Sequence, residues 1–111
     1  MMRRLIRADG AVRDFDAPLS IGEICKFIDA KVTDHVGLRH LGWPLHVMIV
    51  DDMGYETKAI QDGNSTLLVP TKAKKPVNAE ATRLYHLNCA PGTTHQIVGD
   101  VFVCPDLDFA P

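Results

Sequence analysis

Apolar positions along the chain follow two spacings, and the change from one to the other outlines the elements. Leu5-Ile6-Arg7-Ala8 and Ala11-Val12-Arg13-Asp14-Phe15 are strand-like runs on either side of Asp9-Gly10. An Asp-Gly pair accepts the positive φ angles of a tight type I′ turn, so the spacing predicts a β-hairpin. Pro18 closes the second strand. Ser20-Ile21-Gly22-Glu23 then forms a capping box, in which the serine hydroxyl bonds the Glu23 amide and the carboxylate reaches back to the Ser20 amide. Leu19 and Ile24 take the hydrophobic-staple positions, and Ile21, Ile24, Cys25 and Ile28 recur at i, i+3, i+4 and i+7. This predicts a helix over Ile21 to Ala30 with one apolar face. Capping accounts for Ser20 in full, so it is not assigned as a nucleophile.

Lys31 to Val36 reads as a short strand, and Gly37 to Pro44 as a loop or irregular strand framed by Gly and Pro. Leu45 to Val50 is a strand, apolar on both faces apart from His46, that stops at the turn Asp51-Asp52-Met53-Gly54. Tyr55 to Ile60 reads as a returning strand, and Asp62-Gly63 before Ser65 to Val69 predicts a further hairpin. Pro70 to Pro76 reads as a basic loop. Asn78 caps a short helix over Ala79 to Leu87, with Ala81, Leu84, Tyr85 and the following Asn88 on one side. Gln96 to Cys104 is nearly all apolar, as a central buried strand should be, with Gly99-Asp100 as a bulge or kink within it. The acidic tail from Pro105 is expected to fray. The order predicts an α+β domain: a mixed or antiparallel sheet with one main helix on one face. Its β-β-α opening and late central strand resemble a β-grasp.

Composition narrows the function classes. The 111 residues suit one domain. Twelve Lys and Arg against fourteen Asp and Glu give a net charge of −2. That balance argues against a general duplex-DNA binder, which depends on phosphate neutralisation. Arg7, Asp9 and Arg13 interrupt the start, leaving no apolar run of a secretory signal, and no stretch is long enough to span a membrane. Three cysteines without a C-x-x-C pair suggest reduced thiols in a cytosol.

Candidate chemistry is sparse. His86, Cys89, His95 and Cys104 form an H-x2-C-x5-H-x8-C series that in principle supplies four zinc ligands. Structural sites usually pair their ligands more closely, and Cys104 stands where a small apolar residue is expected, so no metal and no cofactor is assigned. His35, His40 and His46 straddle a loop and read as surface or hydrogen-bonding residues. There is no G-x-S-x-G motif, and nothing selects a carboxylate pair for glycoside chemistry. Pro91-Gly92-Thr93-Thr94-His95 has the residue types of an anion-binding loop, but no cation follows it and no helix starts there. Lys72-Ala73-Lys74-Lys75 lacks interleaved aromatics and reads as a solvated face.

Pro76-Val77-Asn78-Ala79-Glu80-Ala81-Thr82-Arg83-Leu84-Tyr85, followed by Gly92-Thr93-Thr94-His95-Gln96-Ile97-Val98-Gly99-Asp100-Val101, resembles the end of a family of small domains of unknown function (number three-eight-four-six). That family occurs on bacteriophages, plasmids and actinobacterial genomes. The N-terminal half is similar to it in pattern only, and Ala59 to Lys75 departs from it as an insertion. The resemblance implies a mobile-element origin and supplies no catalytic residues. The expectation is therefore a small, non-enzymatic phage or mobile-element protein in the bacterial cytosol. It would bind and inhibit a host protein or ribonucleoprotein, most concretely as an anti-CRISPR-like inhibitor of host defence. Candidate contacts are Arg39, His40, Trp43, Tyr55, Lys72, Lys74 and Lys75. Trp43 has two readings: an interface anchor, or a ring covering one end of the core beside Pro44. The alternative function is a sponge for a small nucleotide signal, formed by a homodimer, using Gly92, Thr93 and Thr94 with Arg83, Lys72 or Lys74.

Overall fold

In the computed structural model, which describes residues 2–89 and 92–111, the two most apolar runs lie side by side within one sheet. The elements are β1 (Arg4–Ile6), β2 (Val12–Asp14), α1 (Ile21–Ile28), β3 (Thr33–Leu38), a 3-10 turn (Arg39–Leu41), β4 (His46–Asp51), β5 (Tyr55–Asp62), β6 (Ser65–Ala73), α2 (Ala79–Asn88) and β7 (Val101–Pro105). Five strands form a sheet in the order β2-β1-β7-β4-β3, while β5 and β6 form a separate two-stranded ribbon. The fold is α+β, and every neighbouring pair is antiparallel. The first and last strands are adjacent, as the β-grasp resemblance implies, but they run antiparallel where a β-grasp has them parallel.

Side-chain alternation sends apolar residues to both faces of the central strands. Leu5, Val47, Ile49, Phe102 and Cys104 pack with Ile24 and Ile28 of α1. Ile6, Leu38, Met48, Val101 and Val103 pack with Ala81 and Leu84 of α2 and with Ile97. The sheet is therefore covered on both faces, not by one main helix alone. This explains why β7 and the Val47–Val50 stretch of β4 show no polar alternation: a strand buried on both sides needs none.

The capping box closes as expected, with Glu23 N donating to Ser20 Oγ (3.1 Å) and Ser20 N to Glu23 Oε1 (3.2 Å). Helix α1 ends at Asp29 in the left-handed region (φ 53°). There Lys75 donates from Nζ to the Ile28 carbonyl (3.1 Å) and the Asp29 carbonyl (2.6 Å), and pairs with Asp51 at 2.7 Å. A cation at a helix C-terminus satisfies free carbonyls and opposes the helix dipole. Asn78 anchors the other helix and is buried. Its Oδ1 accepts from Ala81 N (3.0 Å), while Nδ2 donates to the Ile6 and Gly99 carbonyls (3.0 and 2.9 Å).

Four expectations are revised. The first hairpin does not use a type I′ turn, which needs two positive φ angles; only Gly10 of the Asp-Gly pair has one (94°). The bonds Gly10 N to Arg7 O and Arg7 N to Ala11 O close a wider three-residue loop. The Pro70 to Pro76 loop is strand as far as Ala73, so Lys72 lies on β6. The last strand starts at Val101, five residues later than expected, because Gly99 turns the chain at φ 75°. A Cβ on Gly99 would meet the Lys75 side chain at 2.7 Å, so glycine is required for space as well as for φ. Finally, the tail is held. Arg3 Nε and Nη2 donate to Asp108 (2.6 and 3.2 Å), Ala110 N bonds the Leu19 carbonyl (3.0 Å), and Phe109 packs against the α1-side core. Among the described residues, no helix is long and apolar enough to cross a membrane.

Candidate functional site

Strand β3 delivers Leu38 to the core, and the chain then turns outward through Arg39–Leu41 to Trp43 before β4 begins. Two hydrogen-bonded groups fix this excursion. His40 N donates to Asn88 Oδ1 (2.7 Å), and Asn88 Nδ2 donates to the Leu84 carbonyl (2.8 Å), tying the turn to the end of α2. Buried His46 accepts at Nε2 from Met2 N (3.1 Å), which leaves its proton on Nδ1 to donate to the Pro44 carbonyl at 2.7 Å. On this platform Trp43 is 93% exposed. The ring covers no part of the core, so that reading of Trp43 is corrected. Arg39 and His40 beside it are exposed as well.

Three further apolar side chains stand exposed at the same end of the sheet: Leu45, Leu87 and Leu107, at 38, 57 and 84%. Asp106 N donates to the Leu45 carbonyl (2.8 Å), which places Leu107 beside the start of β4. Leu87 lies on the last turn of α2, next to the Asn88 that holds His40. Sequence reasoning marks none of these three leucines. The signal present is that Leu87 falls off the Ala81–Leu84 stripe and that Leu107 follows a proline-ended strand.

The remaining predicted contacts lie at the opposite end, separated by the length of β4, about 17–20 Å for six residues. Tyr55 donates its hydroxyl to the Gln96 carbonyl (2.6 Å), its ring centroid lies 5.4 Å from that of His95, and burial raises its pKa. Lys75 is committed to α1 and Asp51, so it is not a free contact residue. Lys72 and Lys74 remain exposed. The structure thus divides the expected contact set into two groups: Arg39, His40 and Trp43 in one, Tyr55 and the lysines in the other.

A cleft of about 210 Å³ opens near Tyr55, lined in part by Asp34, Asp51, Asp52, His95 and Gln96. None of Gly92, Thr93, Thr94, Arg83, Lys72 or Lys74 lines it. Arg83 is engaged with Glu80 (Nε to Oε2, 2.9 Å), an ion pair that raises the arginine pKa and lowers that of the carboxyl. Thr93 Oγ1 accepts from His95 N (3.3 Å) within its own loop. Within one chain this cleft therefore does not use the expected nucleotide-binding residues, and its carboxylates would repel a phosphate.

The four potential zinc ligands are likewise separated. Cys104 packs on the α1 face of the sheet, where burial pushes its thiol up to about 12. His86 is on α2, across the sheet, with Nε2 bonded to the His95 carbonyl (2.7 Å). One ion cannot reach both faces. Treatment with a chelator should leave the thermal melt unchanged; removal of a structural zinc would cost on the order of 10 kcal/mol and unfold the domain. Compared with known proteins, no family model, no curated protein and no solved structure matches this chain.

Proposed function

We propose that the protein acts by binding another macromolecule, and that the end of the sheet bearing Trp43 makes the contact. One observation carries this reading: an indole left almost wholly in solvent on a backbone held by His46 and Asn88. A large aromatic on a fixed platform loses little freedom on binding, and Trp and Arg are the residue types richest in interface hot spots. Leu45, Leu87 and Leu107 add apolar area around it, with Arg39 and His40 as polar neighbours.

The concrete version is a small non-enzymatic inhibitor of host defence, of phage or mobile-element origin, working in the bacterial cytosol on a host protein or ribonucleoprotein. The proposed origin rests on the sequence resemblance of residues 76–85 and 92–101 alone, since no family model matches the chain. The net charge of −2 suits docking on the basic surfaces of nucleic-acid-binding machinery, where opposite charge speeds encounter. The test is capture from bacterial lysate by the wild-type chain and by Trp43→Ala. The wild type should recover one bacterial protein or complex stoichiometrically. Trp43→Ala should weaken that association by about 2 kcal/mol, roughly thirtyfold in Kd. Its melting should barely move, because an exposed side chain contributes within about 0.5 kcal/mol to stability. Equal capture by both chains, or no stoichiometric partner, would remove the proposal.

A further inference from the structure

The β5–β6 ribbon leaves the body of the protein unsupported. The molecule extends 48 Å in one direction against 29 and 27 Å in the others, and every β5 residue after Tyr55 is exposed. Among the described residues Tyr55 ties its base to the body through the Gln96 carbonyl, and the bond from Lys74 N to the Gly54 carbonyl (2.9 Å) only continues the ladder between its own two strands. Two-stranded ribbons are marginal in water, and their edges offer unpaired backbone groups to another strand. The two edges here differ.

Asp62 faces Ser65 across the two-residue loop, Ile60 faces Leu67, Lys58 faces Val69 and Thr57 faces Pro70. The closing pair of a two-residue hairpin exchanges hydrogen bonds, and bonded pairs alternate with non-bonded ones. Asp62, Ile60 and Lys58 therefore direct their backbone groups inward to β6, whereas Gln61, Ala59 and Thr57 direct theirs outward. On β6 the same alternation turns Pro70 outward, so that edge lacks a donor and is blunted. The β5 edge has no proline and stays open.

We propose that the β5 edge pairs with the β5 edge of a second copy, antiparallel, with Ile60 on the two-fold axis. Three independent features meet in that single register. Ala59 and Gln61, whose amides and carbonyls point outward, face Gln61 and Ala59 of the second copy and can exchange both sets of hydrogen bonds. Ile60, 43% exposed, faces its counterpart in a non-bonded pair, where side chains approach most closely. Lys58 faces Asp62 of the second copy, twice over by symmetry, and among the described residues neither has an ion-pair partner within its own chain. Leu67 and Val69 lie on the same ribbon face as Ile60 and extend the apolar strip into both copies. A β6–β6 pairing would be hindered by Pro70, and a β5 edge shifted by one residue would turn bonded groups away from each other. The contact is isologous, as a two-fold dimer requires.

Sedimentation velocity on the full chain, up to the hundred-micromolar range, tests this. The wild type should be dimeric. Lys58→Asp alone and Asp62→Lys alone each set like charges opposite each other and should weaken dimerisation at least tenfold. An equimolar mixture of the two variants restores opposite charges across the contact and should dimerise again. Ala59→Pro, by analogy with Pro70, removes an outward donor without breaking an inward bond, and should be monomeric with an unchanged circular dichroism spectrum. A monomeric wild type, a variant mixture that stays monomeric, or a dimeric Ala59→Pro would each overturn the proposal. The Trp43 reading is unaffected by any of these results, since Trp43 lies at the other end of the sheet.

Discussion

Replacing Phe102 with alanine should lower the unfolding free energy by about 4 kcal/mol, within the range for emptying a buried aromatic site. Phe102 is 1% exposed on β7 and meets Phe15 edge to face at 5.7 Å; Phe15 in turn meets Phe27 of α1 at 5.4 Å. The Arg13 guanidinium lies over Phe15 at 4.6 Å and closes the outer side of the stack. The three rings join β7, the segment after β2 and α1, so the space left behind is bounded by three elements that cannot all move inward. A domain of this size has only about 5–15 kcal/mol in total, and the midpoint of thermal unfolding should fall by roughly 15 °C. Phe102→Leu, which keeps most of the volume, should cost under about 1.5 kcal/mol. Urea denaturation of both variants decides the matter, and a loss below that figure for Phe102→Ala would mean that the α1 face closes over the gap.

Asn78→Ala should be nearly as damaging, at about 3 kcal/mol, through hydrogen bonding and not volume. Loss of the cap acceptor costs typically about 1 kcal/mol. The Ile6 and Gly99 carbonyls, both bonded to Asn78 Nδ2 inside the protein, then lose a donor where water does not replace it, at about 1–3 kcal/mol each at most. Asn78→Asp separates the two contributions. The carboxylate still caps Ala81 N but turns an oxygen toward both carbonyls, so it should rescue little of the loss. If Asn78→Asp melted like the wild type, the donor half of this account would be wrong.

The sequence was most legible where neighbours along the chain decide the structure. Ser20, Glu23, Leu19 and Ile24 define the start of α1 within six residues, and the helix starts there. The apolar run ending at Cys104 announces a central strand, and β7 occupies that place. Pro70 misleads because proline usually closes a strand; it is tolerated in β6 because its missing amide faces away from the partner strand. Helix α2 looks too weak to cover a face, since Ala81 and Leu84 alone are its buried residues, yet Ile97 completes the layer from another segment. Lys75 reads as a solvated cation because its partners, Ile28 and Asp29, lie 47 and 46 residues earlier. For the candidate site, Trp43 was visible by type, but its exposure depended on which way the chain left Leu38. The outward edge of β5 was hidden until the hairpin register fixed which amides face out.

The position of β7 also bears on biosynthesis. The β1–β2 hairpin and the β3–β4 pair are both made early, yet they touch within the sheet only through β7. While the ribosome is still adding residues 52 to 100, the inner edges of β1 and β4 have no native neighbour, and both are strongly apolar. Such edges are open to pairing with the wrong strand or with another nascent chain. Closing the sheet joins positions nearly one hundred residues apart, Arg4 with Val103, which slows the search for the native state. The vulnerable interval in the life of this protein is thus the time between translation of β4 and arrival of β7, and a chaperone that shields apolar edges would raise its yield most during that interval.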